Sequence, residues 1–175
     1  MKVSQAIAEM LKREGVKQIF AYPLNPLIEA AAEADIRPII VRQERSGVHM
    51  ADAGSRLSSG QNVGIFCMQG GPGVENSFGA VAQAYSEAVP LIVFPGGSAR
   101  AGAWVKPAFN AVLNYQHVTK WAEQVNTPAG IVASVRRAFT QARNGRPGPV
   151  LLEIPGDIWN EEVPEPLDYA PTSRA

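Results

Sequence analysis

The chain has 175 residues, of which 46% are hydrophobic and 18% charged: enough apolar content for one packed core, and too little charge for a disordered polymer. Sixteen basic residues balance sixteen acidic ones without forming a basic stripe, which argues against a nucleic-acid partner. The single cysteine, Cys67, excludes an internal disulfide framework and suits a reducing compartment.

The opening segment MKVSQAIAEMLKREG places Val3, Ile7, Met10 and Leu11 at helical spacing, and Gly15 supplies a stop. Its charges are spread throughout, unlike a signal peptide, and no apolar run in the chain approaches membrane-spanning length. A cytoplasmic protein without membrane contact is expected. Gln18 to Ala21 reads as a short strand ending in Tyr22-Pro23. Pro26 suits the first turn of a helix, where its missing N–H would have no partner, and the helix continues from Leu27 to Ala34. Arg37-Pro38 ends that helix and opens a strand through Ile39, Ile40 and Val41.

A third helix is predicted from about Glu44 to Ser58. Gly47, Ala51, Ala53 and Gly54 make it thin, so that it can approach a backbone or a ligand closely. Val63 to Met68 is a continuous apolar run of the kind found in strands buried on both faces. The turn Gly70-Gly71-Pro72-Gly73 leads into a helix from Val74 to Ser86, and Pro90 to Phe94 is another buried strand. Gly96 to Pro107 is irregular, and a loop of that length in a compact domain is usually functional or mobile. Phe109 to Gln116 reads as a short helix, Trp121 to Val125 as a strand, Pro128 to Asn144 as a helix and Pro149 to Ile154 as the last strand.

Strands alternating with helices imply a three-layer α/β/α sandwich around a mostly parallel sheet of about six strands. From Glu161 to Ala175 the chain holds Pro164, Pro166 and Pro171 with few large apolar groups. This is the composition of an interdomain linker. The expected division is a domain over 1–160 and the start of a linker over 161–175.

Two turns are chemically unusual, and both fall after strands, where open α/β sheets bind ligands. Glu44 opens a helix, where the helix dipole stabilises an acid by about 0.3–1 kcal/mol; that alone explains an acid there. The glycine turn lacks the Lys-Ser/Thr of a phosphate loop, and Asn76 stands where a dinucleotide fingerprint needs glycine. Pro72 removes an N–H and Glu75 adds a negative charge, so both oppose phosphate binding. The turn is either a plain helix cap or a surface for a flat, uncharged ligand. His49 and His117 have no spaced partners, Cys67 sits in an apolar run, and no Gly-x-Ser-x-Gly elbow is present.

Four stretches together resemble the N-terminal pyrimidine-binding (PYR) domain of thiamine diphosphate enzymes of the acetolactate synthase and 2-oxo-acid decarboxylase type. They are Gly15 to Pro23, the Glu44 segment with His49 to Ala51 and Arg56, Gly70 to Val93, and Gly145 to Pro155. The resemblance implies that Glu44 is catalytic, bonding the N1′ nitrogen of the cofactor's aminopyrimidine ring and exchanging a proton there. It implies that Tyr22, Pro23, Pro72, Gly73 and Asn76 line the ring's pocket beside Glu44. The diphosphate and Mg²⁺ would be held by a separate diphosphate-binding (PP) domain, so no metal ligand is expected in this chain. Alone, the chain is expected to be inactive. Its expected partners are a PP domain, a second copy of itself and a small 2-oxo acid.

Departures from the family pattern are Leu24 and Asn25 in place of two glycines, Gln43 in place of a histidine, and Ala53-Gly54-Ser55-Arg56 for Gly-Tyr-Ala-Arg. Phe109-Asn110-Ala111 replaces a frequent Phe-Gln-Glu near the substrate. These bear on specificity rather than on the cofactor. Two other roles remain open: a natural PYR subunit of a two-subunit, sulfopyruvate-type decarboxylase, and a non-catalytic oligomerisation module.

Overall fold

A computed structural model describes residues 1–173. The elements run α1 (Val3–Arg13), β1 (Gln18–Tyr22), α2 (Asn25–Glu33), β2 (Arg37–Ile40), α3 (Glu44–Leu57), β3 (Gly64–Met68) and α4 (Pro72–Ser86), then β4 (Leu91–Gly97), α5 (Ala111–Tyr115), β5 (Trp121–Gln124), α6 (Ile131–Arg143) and β6 (Pro149–Pro155). The six strands form one sheet in the order β2-β1-β3-β4-β6-β5, and every pairing is parallel.

The two-residue period of a strand explains the three layers. Ile19, Ala21, Ile65, Cys67, Ile92 and Phe94 point to one face of the sheet, into the cluster formed with α1, α2 and α6. Phe20, Phe66, Met68, Leu91 and Val93 point to the other, against α3, α4 and α5. Helices on both faces leave no solvated side to the central strands, which is why their sequences are apolar without alternation. Cys67 is fully buried in this core, and burial pushes its thiol pKa up, so it sits there as a small apolar side chain.

Strand ends differ from the sequence reading for local reasons. β2 spans Arg37–Ile40 and stops before Val41; Pro38 can sit within it because the strand lies at the sheet's edge. α4 begins at Pro72 rather than Val74. Gly71 takes φ +59°, which turns the chain, and Pro72 then fills the first helical position, where no N–H is needed. A separate 3₁₀ turn, Pro128–Gly130, precedes α6.

The thin third helix packs as its composition implies. A methyl group at Gly47 would lie 2.3 Å from Cε2 of the Phe66 ring, and one at Gly64 would lie 2.3 Å from the Ala51 carbonyl oxygen. Gly54, by contrast, faces open space.

The proline-rich stretch from Glu161 lies along α1 and α6. Val3 donates to the Glu161 carbonyl at 2.9 Å and Val163 to the Met1 carbonyl at 2.9 Å. Val163, Leu167 and Tyr169 are buried. Arg13 reaches the carbonyls of Leu167 and Tyr169.

Candidate functional site

The strand order reverses direction at β1: β2 lies on one side of it and β3 on the other. Crevices at the carboxyl ends of such strands are where doubly wound sheets bind ligands. Tyr22 and Met68 are register partners across this point. Pro23 continues from β1, and Gly70-Gly71 from β3.

Glu44 is brought to the same place as the first residue of α3. It is only 3% exposed. Asn76 Nδ2, from the second turn of α4, donates to Glu44 Oε2 at 3.1 Å. Oε1 accepts no hydrogen bond from the described residues and lies over the first turn of α4. A methyl group added at Gly73 would stand 3.2 Å from it, and 2.9 Å from Cγ of Gln69. Gly73 thus leaves space that a side chain would take from Gln69 and the Glu44 carboxylate. The positive end of α4 faces an acid that belongs to the protein, which fits the absence of phosphate-loop features in this turn.

The glycine turn is also pressed against the next strand. A methyl at Gly70 would lie 2.1 Å from the Gly96 carbonyl oxygen. Leu24, which stands where the resemblance leads one to expect glycine, has φ −143°, a backbone any residue adopts. Its side chain is turned inward to 8% exposure and packs over Gly96. The substitution therefore fills the core beneath the crevice and leaves the Glu44–Gly73–Asn76 group open.

The fold gathers Glu44, Gly73 and Asn76 in contact, with Pro72 opening α4 beside them and Tyr22-Pro23 ending the adjacent strand. Other residues of the matching stretches go elsewhere. His49 is exposed on α3. Arg56, near the far end of α3, pairs with Asp52 and with Glu87 beyond α4, tying the two helices together. A cavity of about 270 Å³ opens at the opposite end of β1 and β3 beside Gly15, Ser55 and Gly64, and none of the predicted site residues lines it.

Sequence reasoning missed a second buried acid on the same sheet edge. Glu153 on β6 is 5% exposed and accepts a hydrogen bond from Gln124 Nε2 at 2.8 Å. Burial pushes its pKa up, while the Gln124 bond pulls the other way. The signal was there to find: Glu153 is the lone charge in the apolar run Val150 to Pro155. The irregular loop after β4 is anchored nearby, through Arg100 to Asp157 at 2.8 Å, to Glu161, and to the Asn126 carbonyl.

Comparison with known proteins identifies the family. Residues 1–124 match the family model for the thiamine pyrophosphate enzyme, N-terminal TPP binding domain. The chain is 36% identical over 168 residues to the acetolactate synthase large subunit of Lactococcus lactis, covering 93% of this chain and 29% of that protein. It is 33% identical over 168 residues to a probable acetolactate synthase large subunit of Methanocaldococcus jannaschii, covering 93% and 28%. It is 35% identical over 158 residues to the 2-hydroxyacyl-CoA lyase 2 of Xenopus laevis, covering 87% and 24%. The chain thus spans less than a third of the length of these relatives. With a parallel α/β sheet, a buried acid at its switch point and a family match over most of its residues, the chain belongs to the thiamine pyrophosphate enzymes, as their N-terminal TPP-binding domain.

Proposed function

We propose that this chain supplies the aminopyrimidine-binding half of a thiamine diphosphate site in an enzyme that breaks or forms a C–C bond next to the carbonyl of a 2-oxo acid. The observation that carries the reading is Glu44: buried, fixed through one oxygen by Asn76, and with its other oxygen unengaged over Gly73. These residues fit the ring. A buried acid with a free lone pair can share a proton with a ring nitrogen, and Gly73 leaves no side chain in the way. When bound, thiamine diphosphate supplies a stabilised carbon nucleophile and an acceptor for the electron pair released from the substrate.

The chain's own residues do the positioning. Asn76 holds Glu44 Oε2 so that Oε1 faces the crevice, and the start of α3 fixes the height of the carboxyl above the sheet. Tyr22, Pro23 and Pro72 wall the crevice. The diphosphate and its Mg²⁺ would be held by a PP domain on another segment or subunit, because the turn at Gly70 offers a phosphate an acid rather than a cation. The exposed apolar residues Met50 and Leu57 on α3, and Phe78 and Tyr85 on α4, fit a face that meets a second copy or that PP domain. A cytoplasmic location is part of the same reading; no helix among the described residues is long and apolar enough to cross a membrane.

The test is complementation with a PP domain, followed by a 2-oxo-acid decarboxylation assay. Glu44→Gln keeps the shape and removes the exchangeable carboxyl proton, so the rate should fall by roughly 10²–10⁴-fold, the usual contribution of a positioned acid–base group. Near-normal turnover in that variant sinks the reading. Calorimetry on the chain alone should find only weak binding of thiamine diphosphate, since the phosphate anchor lies elsewhere.

A further inference from the structure

β4 and β6 end side by side, with Gly96 opposite Ile154 and Gly97 opposite Pro155. Glu153 lies against this join. A methyl group at Gly97 would be 3.0 Å from both Cγ and Oε1 of Glu153, so a glycine on the neighbouring strand is what gives the carboxyl its place. Oε2 is taken by Gln124. Oε1 accepts no hydrogen bond from the described residues. Glu153 borders a recess of about 50 Å³ lined also by Gln124, Ser98, Asn110, Trp104 and Phe109. A water's share of liquid volume is about 30 Å³, so the recess has room for one small functional group and no more.

The chemistry of the walls narrows what that group can be. Among the described residues, no lysine, arginine or histidine lines the recess. Arg100, on the same loop, is already engaged by Asp157, Glu161 and the Asn126 carbonyl. An anionic group entering here would lose its hydration without gaining a counter-charge. An apolar group would leave Oε1 of the buried carboxyl without a partner, which is also costly. The polar wall is rich in donors: the Ser98 hydroxyl, and the Asn110 amide nitrogen, since Asn110 Oδ1 is occupied by the Leu113 N–H at 2.9 Å. Burial raises the Glu153 pKa, in the direction of the neutral, O–H-bearing form.

We propose that this recess binds a neutral oxygen function of the substrate, a hydroxyl or a carbonyl, with Glu153 Oε1 as its partner. The recess then selects among substrates by the polar group they carry away from the reacting carbon. The proposal rests on the reading that the crevice at Glu44 holds the cofactor. Strands β3 and β4 separate the two acids' positions along the sheet edge, so that at ordinary strand spacing the recess lies roughly 10 Å from the glycine turn.

The experiment is a titration of the ¹⁵N-labelled chain with hydroxyacetone, which carries a neutral hydroxyl and a carbonyl, and separately with pyruvate. The signals to follow are the side-chain amides of Asn110 and Gln124 and the indole N–H of Trp104. Hydroxyacetone should give saturable shifts at these groups, and pyruvate should bind at least tenfold more weakly. Glu153→Gln, which retains a donor, should keep the hydroxyacetone shifts, and Glu153→Leu should lose them by tenfold or more. Should the leucine variant not fold, Asn110→Leu on the opposite wall carries the same expectation. Absence of saturable shifts, pyruvate binding as tightly as hydroxyacetone, or unchanged binding in a folded leucine variant overturns the proposal. The Glu44→Gln rate assay fails independently of this titration, because hydroxyacetone needs no cofactor to enter the recess.

Discussion

Glu14 and Glu44 are both acids with buried side chains, at opposite ends of the same sheet, and they are treated in opposite ways. Glu14 follows α1, and its side chain is 1% exposed. It accepts from the Tyr169 hydroxyl at 2.6 Å, the Thr172 N–H at 2.8 Å and the Thr172 hydroxyl at 3.2 Å, and it pairs with Arg143. Both of its oxygens are occupied. Glu44 is buried nearly as well but has a single donor, Asn76, and one idle oxygen. A carboxylate whose lone pairs are all taken by its own fold has nothing left for a ligand, whereas one that is half satisfied does. The first holds the C-terminal stretch onto α1 and α6; the second keeps an oxygen that a ligand could engage.

This contrast can be broken by exchanging the losses. Glu14→Ala should cost the most stability, about 3–5 kcal/mol, because it strands the buried Arg143 charge and frees the stretch that Glu14 anchors. Chemical denaturation measures it. Glu44→Gln should shift the same transition by less than about 1 kcal/mol, since the amide preserves the volume and the Asn76 contact can reorient. A large loss in the glutamine variant would make Glu44 a structural acid like Glu14.

Gly47→Ala should cost less than Glu14→Ala and more than Glu44→Gln, at about 1–3 kcal/mol. Its methyl meets the buried Phe66 ring, which has no free space to turn into. The loss should appear as a lowered denaturant midpoint with an unchanged slope. Asn76→Ala should cost about 1 kcal/mol of stability, and should slow the complemented enzyme more than that loss implies if the amide's role is to orient Glu44.

Glu153 gives the smallest effect and extends the comparison to a third acid. Its pKa is raised in the folded chain, so the native state holds this proton to a higher pH than the unfolded state does. Stability should fall as pH rises from the ordinary carboxylate range through the raised value. Glu153→Gln removes that fall. Denaturant midpoints at acidic and neutral pH should therefore diverge in the variant's favour as pH rises; parallel curves would mean that Glu153 titrates normally.

Much of the molecule was legible from residue patterns. The apolar runs through Ile65 and Ile92 require strands covered on both faces, and their alternation with helical segments requires a parallel sheet. Glu44 stood out as an acid opening a helix after a strand, and Asn76 as the residue standing where a dinucleotide fingerprint needs glycine. Glu153 did not, because one polar residue in an otherwise apolar strand does not reveal what it faces; only the side-by-side ends of β4 and β6 show it beside a recess. The packing of the stretch from Glu161 was equally hidden, since Val163, Leu167 and Tyr169 are too widely spaced among prolines to read as a buried set.

The sequence by itself determined the element order, the sheet's parallel character, the thinness of α3 and the family. These depend on local propensity and on hydrophobic period, which neighbours along the chain carry. Tertiary structure decided which oxygens remain free. Whether Glu14, Glu44 or Glu153 keeps a lone pair depends on donors 32 to 158 residues away for the first two, and 29 away for the third. No local pattern records those distances.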